Sequence, residues 1–397
     1  MEIICFFEDE ICKNLEPLTL TRPADDLRCG ILTMSEKWSL TLDIGIITRN
    51  LKDHRKEVYK TELPDEAHSF LWVNPRVLPD QHISSNILLL NSGEYLVSDE
   101  LVIAAKVPPE THFKWIENKP VFSSLKKLHV NRSPERFSNL WDLISMNGSE
   151  IVHDINRLGN LEPIGENSHF TITGEHGVLS DENVEIEPGV VFITNDGPIV
   201  LQDNSKIMAN SVIRGPSVIC RGSTVKTGAK IYKNTTIGPV CKVGGEIDNC
   251  IFHSYANKAH DGFTGNSIFG QWTNLGADTN TSNMKNNYSK IAITDFHTAE
   301  KTDTDRQFFG TVLGDHSKTA INTMLNTGSI CGVSSNILSS GFPPNHIRSF
   351  TWISDKNKTT YTFEKAVETM KIMMARRNVA LTDNYIEMMK AIFESEN

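Results

Sequence analysis

From residue 201 to residue 243 an aliphatic side chain recurs at every sixth position: Leu201, Ile207, Ile213, Ile219, Val225, Ile231, Ile237 and Val243. Four residues after each of the first seven stands a small one: Ser205, Ser211, Ser217, Ser223, Ala229, Thr235 and Cys241. This period fits neither an amphipathic helix, which repeats about every 3.6 residues, nor an ordinary strand, which repeats every two or so. It predicts a solenoid in which each hexad is one short strand and one corner. The aliphatic side chain enters the core and the small residue fills the tight turn. Three hexads close one coil of about 18 residues, giving a triangular cross-section. A weaker stretch follows at Leu313, Thr319, Leu325, Cys331 and Ile337. Residues 251–312 between them read as a break in the repeat. Solenoids carry function where inserted loops interrupt them.

Before residue 160 the pattern is that of a mixed α/β domain. Ile3–Phe7 is a short apolar run suited to a buried strand. Ile44–Ile47, Phe70–Val73 and Ile87–Leu90 read as further strands, and Leu32–Leu42 has helical spacing. Near the end, Phe363, Ala366, Val367, Met370, Met373 and Met374 follow i, i+3, i+4 spacing, as do Tyr385, Met388, Met389 and Ile392. Two helices are predicted, over 362–378 and 382–394, their methionine stripe forming a packing face. The expected division is 1–160 (α/β), 161–355 (β-helix) and 356–397 (helical).

Composition narrows the function. The 397 residues are 39% hydrophobic and 22% charged, which is neither a disordered nor a membrane chain. No uncharged apolar run is long enough to span a bilayer. The acidic start, MEIICFFEDE, is not that of a secretory signal. A net charge of −10 argues against a nucleic-acid surface, while a phosphorylated small substrate needs only a local basic pocket. Seven scattered cysteines with no C-x-x-C point to reduced thiols in a cytoplasmic protein.

The stretch Asn257-Lys-Ala-His260-Asp-Gly-Phe-Thr-Gly265-Asn-Ser-Ile268-Phe-Gly270-Gln-Trp-Thr-Asn274-Leu-Gly276-Ala277-Asp-Thr279 resembles the acetyltransferase half of the bifunctional N-acetylglucosamine-1-phosphate uridylyltransferase/glucosamine-1-phosphate acetyltransferase family. That family reads K-x-x-H-L-T-Y-x-G-D-A-x-I-G-x-x-x-N-I-G-A-G-T-x-T-x-N-Y. His260, Gly265, Gly270, Asn274, Gly276, Ala277, Thr279 and Asn283 fall in step with it. Pro17-Leu-Thr-Leu-Thr-Arg22-Pro23 is similar to the P-L-T-L-T-R-P-K-P segment of sugar-phosphate nucleotidyltransferases. With Leu27-Arg28-x-Gly30 and Glu36-Lys37-Trp38 it looks like the divergent, Bacteroidetes version of the bifunctional enzyme.

The resemblance implies a left-handed hexapeptide β-helix, acetyl-CoA as co-substrate, a sugar phosphate acceptor, UTP or dTTP with Mg2+ for the N-terminal half, and a homotrimer with sites between solenoids. It departs from the family in places. The Gly-rich G-x-G-T-R loop is replaced by Phe7-Glu-Asp-Glu-Ile-Cys-Lys13, the signature lysine by Ala24, the tyrosine after the histidine by Phe263, and a phosphate-binding lysine by Asp248.

Acetyl transfer to an amine needs a base for the ammonium proton and donors for the developing oxyanion. His260 suits the base, since histidine titrates near neutrality. The resemblance gives Glu246 the part of holding it, has Asn274 and Asn283 contact substrate and coenzyme, and turns the backbone of Ala277 toward the coenzyme. Asparagine also favours solenoid corners, where φ is positive. Lys230, Lys258 and Arg214, with Lys226 and Lys242, are candidate phosphate contacts. Arg22, Arg28 and Lys37 are the nucleotide candidates in the N-terminal half, and Asp9, Asp25 and Asp26 are carboxylates available to Mg2+. Other readings stay open: a zinc enzyme of the γ-carbonic-anhydrase type using His253, His260 and His316, a glucose-1-phosphate thymidylyltransferase, and a trimeric scaffold without catalysis.

Overall fold

A computed structural model describes residues 2–64, 67–159, 161–165 and 167–396. Asn160, at the expected boundary, lies outside the described residues. The chain divides into two compact units. One holds the residues up to 15, 22–27 and 32–142; the other holds 16–21, 28–31 and everything from 143 on.

The first unit is built on β1 (Glu2–Phe7), α1 (Met34–Leu42), β2 (Ile47–Asn50), β3 (Ser69–Val73), α2 (Gln81–Leu88), β4 (Glu94–Ser98), β5 (Leu101–Val107), α3 (Pro109–Glu117) and β6 (Lys126–His129). Its six-stranded sheet has the order β2-β1-β3-β5-β4-β6. The first three strands are parallel, and β5 is antiparallel to both its neighbours. Ile3, Cys5, Phe70 and Trp72 form a core with Trp115. Helix α1 opens on a capping box, Thr33 with Glu36, and closes on Asp43 in the left-handed region. That turn delays the strand expected at Ile44 until Ile47. Ile87–Leu90, expected as a strand, is instead the end of α2, with Ile87 and Leu88 in its last turn and Leu89 as its cap. The Asp80 carboxylate accepts from the Ile83 amide at 2.7 Å and starts a helix upstream of the apolar run.

The second unit contains the predicted parallel β-solenoid. Each coil visits three faces in turn. The first carries Glu185–Ile186, Lys206–Ile207, Thr224–Val225, Lys242–Val243 and Asn257–Lys258; the second carries Val212–Arg214, Lys230–Ile231, Glu246–Asp248 and Phe263–Gly265. The third is a ten-stranded sheet. All the pairings between coils are parallel, and aliphatic meets aliphatic: Ile207 with Val225, Ile213 with Ile231, Ile219 with Ile237. The small layer is buried too, and three of its hydroxyls, those of Ser211, Ser217 and Ser223, bond the next coil. Ser211 donates to the Lys226 carbonyl at 2.9 Å and Ser223 to the Gly238 carbonyl at 2.6 Å. Asn204, Asn210, Asn234, Asn249 and Asn266 take positive φ at corners, where a short amide side chain is tolerated. The architecture is consistent with a left-handed β-helix.

The expected break at 251–312 is corrected. The solenoid runs on through residue 281, with Ile237 paired to Phe252, Val243 to Lys258, Ile247 to Thr264 and Phe252 to Phe269. Corners shortened by one or two residues throw off the count of six, and Lys258, Thr264 and Thr281 stand where aliphatics are expected. The insertion proper follows Thr281 and contains one antiparallel pair, Ile291–Thr294 with Lys301–Arg306.

Helix α4 (Leu140–Leu158) belongs to this unit from Leu143 on. Near the C-terminus stand α5 (Phe363–Ala375) and α6 (Asp383–Glu396). Their methionine stripe packs inward at Met370, Met374, Met388 and Met389.

Gly30 joins α4 to the solenoid. Its amide donates to Asn147 Oδ1 at 2.7 Å, its carbonyl accepts from Thr236 at 2.9 Å, and the next amide, that of Ile31, donates to Asp154 Oδ2 at 2.8 Å. Its φ is +84°, and a Cβ would lie 2.6 Å from Asp154 Oδ2 and 2.7 Å from the main-chain carbon of Glu150. Gly30→Ala should therefore cost about 2–4 kcal/mol through strain and overpacking. Thermal unfolding would show a lowered midpoint. An unchanged midpoint would mean the loop is free to move away.

Candidate functional site

The second face brings three positions of the sequence motif into one column. Lys230 pairs with Glu246, and Glu246 with Phe263, in successive coils. Inward-pointing Ile231, Ile247 and Thr264 alternate with them and turn the column toward solvent. Arg214 is exposed one coil earlier, its guanidinium 6.0 Å over the Tyr232 ring. His260 is exposed in the corner that leads from the first face into this column, and Ala277 occupies the same corner one coil on. The Ala277 carbonyl accepts from the Asn322 amide at 2.8 Å.

The two asparagines do not adopt the left-handed corner conformation. Neither takes a positive φ, and each pairs with an asparagine one coil earlier. Asn274 Oδ1 accepts from Asn257 at 2.7 Å, and Asn283 donates to Asn266 Oδ1 at 2.7 Å. Asn274 lies on the first face, bridged to Asn257 and Lys318, so the motif residues are divided between two faces meeting at the His260 corner. Beside Glu246, Asp248 is half-buried. Burial first, then the Glu246 charge, pushes its carboxyl above the usual range.

The histidines of the zinc reading are used separately. His253 Nδ1 is 3.2 Å from the Ser254 hydroxyl, and His316 Nε2 is 2.9 Å from the Tyr385 hydroxyl. Among the described residues no three potential ligands gather around a metal position.

In the first unit, the carboxyl ends of β1, β2 and β3 carry alternating carboxylates and guanidiniums. Glu8 accepts from Arg55 at 2.6 Å and from the Ala24 amide at 2.7 Å. Asp9 is bridged by Arg76, donating at 2.8 and 2.5 Å, and by Asn74 at 2.8 Å. Arg49 forks onto the buried Asp25 at 3.1 and 2.8 Å, and Arg22 pairs with Asp26 at 3.2 Å. Arg22 and Lys37 are buried in this unit. Arg28 is buried in the other, its guanidinium on the Ile31 carbonyl. Asp9, Asp25 and Asp26 are each engaged by an arginine, which does not fit a Mg2+ site, and no step is derived through that ion.

A cavity of about 560 Å³ lies between the first face and α5. Lys242, Asn257, Asn274 and Lys318 line it from the solenoid, Arg376 and Arg377 from the end of α5, and Tyr255 and Trp272 from the adjoining corners. The two rings stack with centroids 4.1 Å apart and planes 12° apart. The sequence flagged Asn274 and Lys242 here. Lys318, Arg376 and Arg377 went unnoticed because they come together only in the fold.

Residues 4–160 match the family model described as a sugar nucleotidyl transferase. That stretch is under half of the chain. No curated protein matches it. Similar solved structures include a mutant of AntD, an N-acyltransferase from Bacillus cereus in complex with dTDP and coenzyme A, at 12% identity, covering 52% of this chain and 90% of that one, TM-score 0.23. A UDP-N-acetylglucosamine acyltransferase from Campylobacter jejuni is 14% identical over 56% of this chain and 93% of its own, TM-score 0.22. A hexapeptide transferase family protein from Anaplasma phagocytophilum is 15% identical over 56% and 96%, TM-score 0.16. Similarity at this level says nothing about substrate.

Lys258 sits in the inward column, in register with Val243. It is 1% exposed, and its ammonium donates to the carbonyls of Gly244, His260 and Asp261 at 3.1, 2.9 and 3.2 Å. All three of its protons are thus used within the chain, two of them on the corner that bears His260. Burial lowers its pKa to about 8. Below that pH the ammonium is charged in both the folded and unfolded chain, and the burial penalty is carried in full. Between about 8 and the unfolded value near 10.4 the folded protein releases the proton first, so stability rises with pH. Burial drives Lys318 the same way, so the test is a difference. From pH 8 to 10 the wild type should gain about 1–3 kcal/mol relative to Lys258→Met. Urea unfolding at several pH values measures it, and a difference that stays constant sinks the assignment.

Proposed function

We propose that this chain is a transferase of nucleotide-sugar biosynthesis whose solenoid moves an acetyl group from acetyl-CoA to the amino group of a hexosamine 1-phosphate. The observation that carries this reading is the column Lys230–Glu246–Phe263 on the second face, with the exposed His260 in the corner beside it. His260 takes the proton from the sugar ammonium, so that the neutral amine attacks the thioester carbonyl. Glu246 favours the imidazolium that results. Lys230 and Arg214 supply positive charge for the sugar phosphate. Lys258 acts from inside the coil, holding the His260 corner by its carbonyls.

Asn274 and Asn283 complete the site. Because Asn274 stands on a different face from Glu246, a homotrimer with its sites between neighbouring solenoids is the natural assembly. Ile321, Met324, Leu338 and Trp352 expose apolar side chains on the later coils and would be covered by such packing. Seven scattered cysteines with no C-x-x-C fit a cytoplasmic enzyme.

His260→Ala should lower acetyl transfer to glucosamine 1-phosphate by about 10²–10⁴-fold, the usual worth of a positioned base. Thiol release from acetyl-CoA measures it, and retention of more than a tenth of the activity removes His260 from the chemistry. The fold should survive, since an exposed corner side chain carries little of the core.

The match over residues 4–160 supports a sugar nucleotidyltransferase-like domain; in this reading its nucleotide is UTP or dTTP. Glu8 and Asp9 occupy the position of the phosphate-binding loop and hold Arg55 and Arg76 in ion pairs. Pyrophosphate release from UTP or dTTP with a sugar 1-phosphate should therefore be slow beside acetyl transfer, or absent. Turnover on the order of ten per second, a median enzyme rate, would contradict this.

A further inference from the structure

Of the residues that line the cavity between the solenoid's first face and α5, only Asn274 was given a role in the reaction proposed above. Its walls hold four cationic groups, those of Lys242, Lys318, Arg376 and Arg377, and no carboxylate. Among the described residues none of the four has an ion-pair partner; the Lys318 ammonium donates only to the His316 carbonyl, at 2.6 Å. The repulsion shows at Lys242. Arg377 first, then burial and the charges of Lys226 and Arg376, hold Lys242 below its usual pKa. Burial pushes Lys318 down to about 8. A folded protein gathers unpaired like charges in one cavity at an energetic cost, and an anion removes that cost.

The other walls narrow the class of anion. Tyr255 is half-buried and stacks on Trp272, which is only 3% exposed, so the aromatic surface open to the cavity is that of Tyr255, backed by the buried indole. The Asn257–Asn274 amide pair can meet the donors and acceptors of a planar ring edge. A volume of about 560 Å³ is far larger than one phosphate group needs and falls within the range of small-molecule and cofactor pockets.

We propose that this cavity binds a phosphorylated nucleotide, with its phosphates between Lys242, Lys318, Arg376 and Arg377 and its base near the Tyr255–Trp272 stack. Two sources carry that chemistry: the adenosine bisphosphate end of a coenzyme A thioester, and a free nucleoside triphosphate. Because two of the cations come from the helix after the solenoid, the site exists only while α5 lies on the first face. Ligand binding therefore also fastens that helix.

Calorimetric titration of the full chain with adenosine 3′,5′-bisphosphate, UTP and inorganic pyrophosphate separates the cases. At least one nucleotide should bind ten times or more tighter than pyrophosphate. Tighter adenosine 3′,5′-bisphosphate identifies the coenzyme as the source, and tighter UTP identifies the free nucleotide. The double variant Arg376→Gln, Arg377→Gln should weaken the better probe at least tenfold. Trp272→Leu should narrow the gap between nucleotide and pyrophosphate. Melting curves check that both variants fold, and if either does not, Lys242→Gln, on an exposed side chain, replaces it with the same expected loss. Nucleotides that bind no better than pyrophosphate, or with unchanged affinity in the folded variant, overturn the proposal. The readout is binding alone, so it can fail or succeed independently of acetyl transfer.

Discussion

Register between coils is the constraint on which the second unit rests. Each coil offers one inward position per face, and the parallel hydrogen bonds fix which residue takes it. A slip of one residue would turn every inward side chain outward. The chain holds register even where its spacing changes. From Val243 the next inward residue, Ile247, comes after four positions and Phe252 after five more, yet Ile247 still pairs with Ile231 and Phe252 with Ile237. The corners absorb the missing residues. The outward columns follow from the inward ones, so Lys230 and Glu246 stand in line because Ile231 and Ile247 do.

The same constraint makes polar inward residues costly, and they are not scattered. Lys258, Thr264, Thr281 and Thr319 fall in the coils around the His260 corner and the insertion, while the columns before Val243 are apolar. Some of the cost is offset by pairing: Lys258 has three carbonyls, and Thr319 shares a 2.7 Å hydrogen bond with Thr279. The Thr264 hydroxyl has no such partner. Local rules broken in one place, in a chain that keeps them elsewhere, mark the region where something other than stability is being served.

What the sequence made legible follows from range. The hexad repeat is a local signal, so residues 201–243 and the solenoid they build could be read directly, as could the C-terminal helices from their methionine spacing. The coils at 251–281 read as a break because shortened corners and Lys258 disrupt the count, and neither is visible until the register is known. Ile87–Leu90 read as a strand because a short apolar run does not reveal a cap at Asp80. In the candidate site, the residue types could be read from the motif. Their division between two faces could not, nor could the cationic cavity, whose members lie at 242, 318 and 376–377.

The two units also differ in how their charges are kept. In the first, guanidiniums and carboxylates at the carboxyl ends of the parallel strands neutralise one another: Glu8 with Arg55, Asp9 with Arg76, Asp25 with Arg49. Open α/β sheets bind ligands at that edge. A phosphate arriving there must displace a carboxylate already hydrogen-bonded to its arginine, and the carboxylate left behind would repel it. Separating a half-buried pair leaves one charge uncompensated, which costs several kcal/mol. In the second unit, the cations around the α5 cavity have no carboxylates to give up among the described residues. An anion entering there relieves repulsion and breaks no ion pair. Net charge cannot tell these arrangements apart, because both sit in a chain at −10; pairing can, and it makes the solenoid cavity the less costly of the two places for an anion to enter.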